Sequence, residues 1–67
     1  MTKIIRSRSG LYFRDDGAWT EKFSEAKKFE DVSSAFAAKL HFKIENADLI
    51  LLISDDPQSQ LDIILPL

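Results

Sequence analysis

The absence of cysteine is the feature that most constrains how these 67 residues can fold. A domain of this length buries only about 60% of the surface that its unfolded chain exposes. Small domains often supplement their core with disulfides or thiolate-bound metal, and this chain can form neither. It must therefore depend on its apolar side chains, and self-association is the remaining common way to bury more of them.

The composition is that of a folded globular chain. Apolar residues make up 45% and charged residues 30%, and the net charge is -2, so the low hydrophobicity and high net charge of disordered chains are missing. The length predicts a single domain over residues 1–67. The N-terminus has no long apolar stretch before its arginines, and no run approaches the ~18 residues of a membrane span. We therefore expect one soluble cytoplasmic domain.

Residues 3–20 predict a β-hairpin. The first part, residues 3–14, is rich in β-branched and aromatic types, with Gly10 as a possible bulge or bend. Asp15-Asp16-Gly17 is a turn sequence, and residues 18–20 would begin the return strand.

The geometry of that turn decides the neighbour of Trp19. A two-residue turn would set Trp19 opposite Arg14, whereas a three-residue turn with a left-handed Gly17 would set it opposite Phe13. We favour the second geometry, because an aromatic pair stabilises a sheet and buried area is scarce in a chain of this size.

A helix is expected in the middle of the chain. Asp31 is a candidate N-cap, and the helix should run from about Val32 to between His41 and Ile44. Helical spacing predicts that one face packs on the sheet, formed by Val32, Ala35, Phe36, Lys39 and Leu40. The preceding segment, residues 21–29, is ambiguous. We expect it to be irregular or a single turn that tucks Phe23 and Phe29 under the helix.

The last third predicts a second hairpin, with strands at residues 49–54 and 61–65 and a loop at 55–59. Pro66 would end the last strand or mark it as an edge. The predicted fold is therefore α+β in ββαββ order, with a four-stranded, mainly antiparallel sheet and one main helix packed on one face.

One helix can cover only one face of such a sheet, yet the last hairpin is apolar on both faces. Ile50, Leu52 and Ile64 would point away from the helix and form an exposed patch, which usually marks an interface. Two interpretations stay open. Residues 21–29 could fold over this face, or the face or the final edge strand could form a two-fold homodimer. A different protein partner is a third possibility.

Charge is unevenly distributed along the chain. Residues 1–14 carry four basic side chains and no acidic one, whereas residues 15–67 carry five basic and eleven acidic ones. Period-2 alternation would set one group on a single strand face: Arg6, Arg8, Tyr12 and Arg14. Such a strip could bind phosphate or stack nucleic-acid bases. It could also be an ordinary solvated strand, and the acidic pI near 5.2 favours that interpretation.

No catalytic or cofactor motif is present. His41 is the only histidine, there is no zinc-binding spacing, and two glycines cannot form a phosphate loop. The pairs Asp15-Asp16 and Asp55-Asp56 fall in predicted turns, next to Gly17 or Pro57, which already explains them. We therefore expect no enzymatic activity, no cofactor and no metal.

Part of the chain resembles patterns in small bacterial and phage-borne proteins, namely Asp16 to Thr20, Ala26, Phe29 and the alanine-rich helix. These are turn and core residues, so the resemblance implies a fold element and carries no site. The sequence therefore predicts a small, non-enzymatic protein-interaction module whose partner is a second copy or another protein, with anion or nucleic-acid binding as the alternative.

Overall fold

The computed structural model describes residues 2–52 and 63–67, which form an antiparallel sheet with one α-helix. The strands are β1 (Thr2–Ser7), β2 (Tyr12–Phe13), β3 (Trp19–Thr20), β4 (Ala47–Leu52) and β5 (Ile63–Pro66). A 3-10 turn at Phe23–Glu25 and the helix α1 at Val32–Phe42 lie between β3 and β4. The strands are arranged in the order β3-β2-β1-β4-β5.

The predicted α+β class, with one main helix and an antiparallel sheet, is confirmed. The predicted four strands and ββαββ order are wrong, because the described residues form five strands in the order β-β-β-α-β-β. The first predicted strand, residues 3–14, turns at Gly10 and becomes the hairpin β1-β2. The loop predicted at 55–59, including Asp55 and Asp56, lies outside the described residues.

The β1-β2 and β2-β3 connections share one turn geometry. In the first, Gly10 N–H donates to the Ser7 carbonyl at 3.0 Å, and Ser7 N–H donates to the Leu11 carbonyl at 2.7 Å. In the second, Gly17 and Arg14 repeat this pattern. Each glycine has a positive φ, +97° at Gly10 and +86° at Gly17. Both are three-residue turns that end on a left-handed glycine.

The second turn confirms the favoured position of the tryptophan. Phe13 lies opposite Trp19 in the β2-β3 register, and the two rings meet edge to face at 5.6 Å. Trp19 is half-buried and packs against the buried cluster beneath α1. We call this cluster the helix-side core, and its members are Ile5, Phe13, Phe29, Ala35, Ile44, Ala47 and Leu49.

The two glycines give a matched test of crowding at the turns. A Cβ at Gly17 would lie 2.7 Å from the Phe42 ring, whereas a Cβ at Gly10 would meet nothing within 4 Å. We expect Gly10→Ala to lower the free energy of unfolding by about 1 kcal/mol for its backbone alone. Gly17→Ala should lower it by about 2 kcal/mol, because the Phe42 ring must also move. Urea unfolding measures both, and equal losses would contradict the close approach of Phe42.

The helix begins and ends as the sequence predicts. The Asp31 carboxylate accepts the Ser34 backbone N–H at 2.7 Å, which is an N-cap. At the other end, Lys43 takes a left-handed conformation, and Ile44 N–H donates to the Lys39 carbonyl at 3.0 Å. The helix is therefore closed at both ends by local hydrogen bonds.

The N-cap predicts a dependence of stability on pH. The bond from Ser34 N–H holds the pKa of Asp31 below its ordinary value. A lowered carboxyl pKa stabilises the fold above about pH 4, and this contribution disappears as the pH falls through the pKa of the folded state. Asp31→Asn keeps the cap without titrating. Between pH 6 and pH 3 the wild type should therefore lose more stability than Asp31→Asn in urea unfolding, and equal losses would contradict this role.

The face of α1 that meets the sheet agrees with the predicted one only in part. Ala35 is fully buried, but Val32, Phe36 and Leu40 are exposed. The aromatic rings of Phe13 and Phe29 fill the space between helix and sheet. The helix therefore turns Ala35 towards the sheet, and Val32, Phe36 and Leu40 lie on an open flank.

The segment at residues 21–29 contributes to both sides of the sheet. Phe29 N–H donates to the Lys3 carbonyl beside β1, and the Phe29 ring joins the helix-side core. Ala26 and Phe23 lie on the opposite side, where Phe23 meets Tyr12 edge to face at 5.5 Å. The prediction that both phenylalanines lie under the helix is therefore right for Phe29 and wrong for Phe23.

Candidate interaction surface

The sheet face opposite α1 is mostly covered by the chain itself. Ile50 and Leu52 are 1% and 2% exposed, because they pack with Ile4, Ala26 and Phe23. The expectation that these two side chains lie in an open patch is therefore wrong, and the alternative that residues 21–29 cover them is confirmed. Ile64 lies opposite Ile50 on the same face and is 51% exposed.

The open apolar surface is on the helix side. Its members are large apolar side chains between 38% and 74% exposed, and they come from two elements: Val32, Phe36 and Leu40 from α1, and Ile63 and Leu65 from β5. We call this set the α1–β5 surface. Helical spacing predicts that the three α1 members pack on the sheet. Their exposure in the structure shows that they lie on the surface instead.

Helical geometry determines on which flank of α1 the helical members of this surface lie. Val32, Phe36 and Leu40 are four residues apart and share one stripe. Ser34 and Ala38 form another stripe, which faces residues 27–30. Residues 27–30 lie on the β2 side of the sheet, because Lys27 N–H donates to the Phe13 carbonyl of β2. The Phe36 stripe is on the other flank of α1, which is the flank nearer β4 and β5 in the strand order.

The β5 members point to the same side of the sheet. Ile63 and Leu65 lie opposite Leu51 and Leu49 in the β4-β5 register. Leu49 belongs to the core beneath α1, and Leu51 packs against that core. Ile63 and Leu65 therefore continue the helix-side face beyond the area that α1 covers.

The outer edge of β5 offers few hydrogen-bonding groups to another strand. Leu67 N–H donates to the Ala47 carbonyl of β4. Backbone groups alternate in direction along a strand, so those of Ile63 and Leu65 also point to β4. The backbone groups of Ile64 and Pro66 point outwards. Proline has no N–H, which leaves Ile64 as the only outward donor among the described residues of β5. Proline at such a position blunts a sheet edge.

The predicted basic strip is brought together only in part. Arg6 lies opposite Tyr12, and both line a shallow hollow of about 370 Å³ with Arg8 and Asp48. An Arg8 Nη2 atom lies 3.9 Å from Asp48 Oδ1. This carboxylate weakens the positive potential that an anion site would require.

Arg14 lies in a different, acidic environment. One of its guanidinium nitrogens is 3.4 Å from Asp16 Oδ2, and Asp15 and Glu25 line the same hollow. The Thr20 hydroxyl donates to Glu25 at 2.6 Å, and this bond lowers the pKa of that carboxyl. Glu25 therefore stays ionised beside Arg14 and opposes the binding of an anion there.

The residues considered for catalysis are dispersed. His41 is exposed and contacts the Phe42 ring at 4.7 Å. Asp15 is 3.2 Å from the Lys27 ammonium, and Asp16 accepts the Ala18 backbone N–H. Within residues 2–52 and 63–67, no three histidine, aspartate or glutamate side chains gather as a metal site would require.

Comparisons with protein-family models, curated proteins and solved structures find no match to this chain. The described part of the chain also contains no helix with the length and hydropathy needed to cross a membrane.

Proposed function

We propose that this protein is a small, non-enzymatic interaction module that forms a reversible two-fold homodimer through the α1–β5 surface. The observation that carries the proposal is the concentration of exposed apolar side chains on that surface. The proposed module acts in the cytoplasm, a location that stays a prediction from the sequence.

A second copy is the occupant that the surface fits best. The surface contains both parts of a helix-on-sheet contact, an apolar helix flank and the sheet area beside it that α1 leaves open. In a two-fold dimer the same patch serves both copies. The helix flank of one copy can therefore lie on the β5 area of the other, and each copy covers the face that its partner leaves open.

The available area agrees with a weak dimer. With about 150–200 Å² for a whole apolar side chain, the exposed parts of the surface amount to roughly 400 Å² in each copy. Apolar atoms make up about 65% of a homodimer interface, so the total for both copies would be roughly 1,200 Å². This is the lower limit of a standard interface, the range in which transient complexes are found. The small net charge of -2 gives little repulsion between the copies.

The direct test is sedimentation velocity over a concentration series from about 5 to 500 µM. We expect the weight-average sedimentation coefficient to rise from that of a 7.6 kDa monomer to that of a dimer. A constant monomer value across the whole series would refute the homodimer.

Anion or nucleic-acid binding is the second candidate, and the hollow that joins Arg6, Arg8 and Tyr12 is its support. Asp48 in the same hollow predicts that binding would be weak. If the site is real, a single-stranded oligonucleotide at low salt should shift the amides of residues 6–12, and Arg6→Glu with Arg8→Glu should abolish the shifts. The same shifts in that variant would exclude the site.

A further inference from the structure

A cleft of about 480 Å³ is lined by residues of three connections together with residues of β2, β3 and α1. The connections are the β1-β2 turn, the β2-β3 turn and the segment between α1 and β4. The volume is within the range of small-molecule sites. None of the residues that line the cleft belongs to the α1–β5 surface, so its use is independent of the proposed dimer.

Aromatic rings form the walls of this cleft. Phe13 is 1% exposed and supports two more accessible rings, Trp19 at 5.6 Å and Phe42 at 5.2 Å between centroids. Trp19 is half-buried and Phe42 is 43% exposed, so each keeps accessible ring surface. Because three different elements hold these rings, the apolar wall exists before any ligand arrives.

Polar groups complete the lining. Arg8 and Lys43 contribute two positive charges, and Glu45 contributes one negative charge. The Arg8 contact with Asp48 is long, at 3.9 Å, and Arg8 is 60% exposed, so its guanidinium can turn to a ligand. The indole N–H of Trp19 has no hydrogen-bond partner among the described residues. The cleft therefore combines an aromatic wall with two basic side chains.

We propose that this cleft binds a small, planar aromatic anion of the aryl carboxylate type. The flat ring of such a ligand stacks against Trp19 and Phe42, and its carboxylate meets Arg8 and Lys43 at the open side. A neutral ring would keep the stacking and lose the charge contact. A simple carboxylate without a ring would lose the larger apolar contribution.

The test uses 2-naphthoate as the probe and neutral 2-naphthamide as its matched control. Trp19 is the only tryptophan, so its indole N–H gives a single side-chain signal in a ¹H–¹⁵N spectrum. We expect 2-naphthoate to shift this signal and the Lys43 amide saturably. Each exposed charge contact is worth a factor of about two to five, and the amide loses two, so 2-naphthamide should bind at least about four-fold more weakly.

Variants assign the charge contact to its residues. Arg8→Gln with Lys43→Asn should weaken 2-naphthoate binding about five-fold and leave 2-naphthamide binding unchanged. Asparagine is chosen at Lys43 because it tolerates the left-handed conformation there, with φ +54°. Lys28→Gln removes an exposed lysine that does not line the cleft and should change neither affinity.

Three results would overturn the proposal. The first is no saturable shift of the Trp19 signal with 2-naphthoate. The second is equal binding of 2-naphthoate and 2-naphthamide by the wild type, a comparison that needs no variant to fold. The third is an unchanged preference for 2-naphthoate in Arg8→Gln with Lys43→Asn.

Discussion

Replacement of Phe13 by alanine should lower the free energy of unfolding by about 3–5 kcal/mol, which is much of the stability of a domain this small. Phe13 is 1% exposed and contacts rings from three other parts of the chain: Trp19 in β3, Phe29 beside β1, and Phe42 in α1. Alanine would leave a cavity bordered by these three rings. The rings come from different elements, so none of them could fill the cavity without moving away from its other contacts. Urea unfolding followed by circular dichroism measures the loss.

Phe36→Ala is the matched control, because it removes the same ring from a 45% exposed position. At a concentration where the wild type is monomeric, this variant should lose less than about 1 kcal/mol. If Phe13→Ala unfolded at the same urea concentration as Phe36→Ala, the assignment of Phe13 to the centre of the core would be contradicted.

Phe36→Lys with Leu40→Lys should raise the dissociation constant of the dimer at least about hundred-fold, which corresponds to about 2.7 kcal/mol. The two substitutions set four lysine ammonium groups in the contact, and burying unpaired charge is costly. Lysine is a good helix former, and both positions are exposed in the single chain, so the monomer fold should persist. Sedimentation measures the shift, and a circular dichroism spectrum checks the fold.

Two control variants separate this surface from its alternatives. Ala37→Lys with His41→Lys adds two lysines to exposed positions on another side of α1 and should leave the dimer intact. Ile64→Lys changes the opposite face of β5 and should also have little effect. Dissociation by Ile64→Lys, with no effect of the Phe36 and Leu40 changes, would instead assign the interface to the face opposite the helix.

Features set by neighbouring residues could be predicted from the sequence. Asp31 forms its N-cap through Ser34, three residues away, and α1 ends at Phe42 inside the predicted range. The turn at residues 15–17 sets Phe13 opposite Trp19 as expected. In each case a few residues supply the hydrogen bonds or the left-handed conformation that decides the local structure.

The division of the first strand shows where local patterns were misleading. Gly10 follows two serines and an arginine, and it forms the same left-handed turn as Gly17. It lacks the paired aspartates that made the later turn recognisable, and the β-branched and aromatic residues around it favoured one long strand. The basic strip was therefore expected on a single strand. In the structure Arg8 lies in a turn, and Arg14 lies beside a second one.

The surface could not be predicted because it depends on contacts between distant residues. Helical periodicity indicates an apolar face, but the rings of Phe13 and Phe29 decide which part of that face meets the sheet. They favour Ala35 there and leave Phe36 and Leu40 on the open flank. In the same way, only the position of Ala26 and Phe23 shows that Ile50 and Leu52 are covered.

The most direct test of the proposed interaction surface is an isotope-filtered nuclear Overhauser experiment on an equimolar mixture of labelled and unlabelled chains. The proposal predicts intermolecular contacts between the side chains of Phe36 and Leu40 in one copy and the methyl groups of Ile63 and Leu65 in the other. Intermolecular contacts confined to Ile64, or none at a concentration where sedimentation shows a dimer, would contradict an interface formed by α1 and β5.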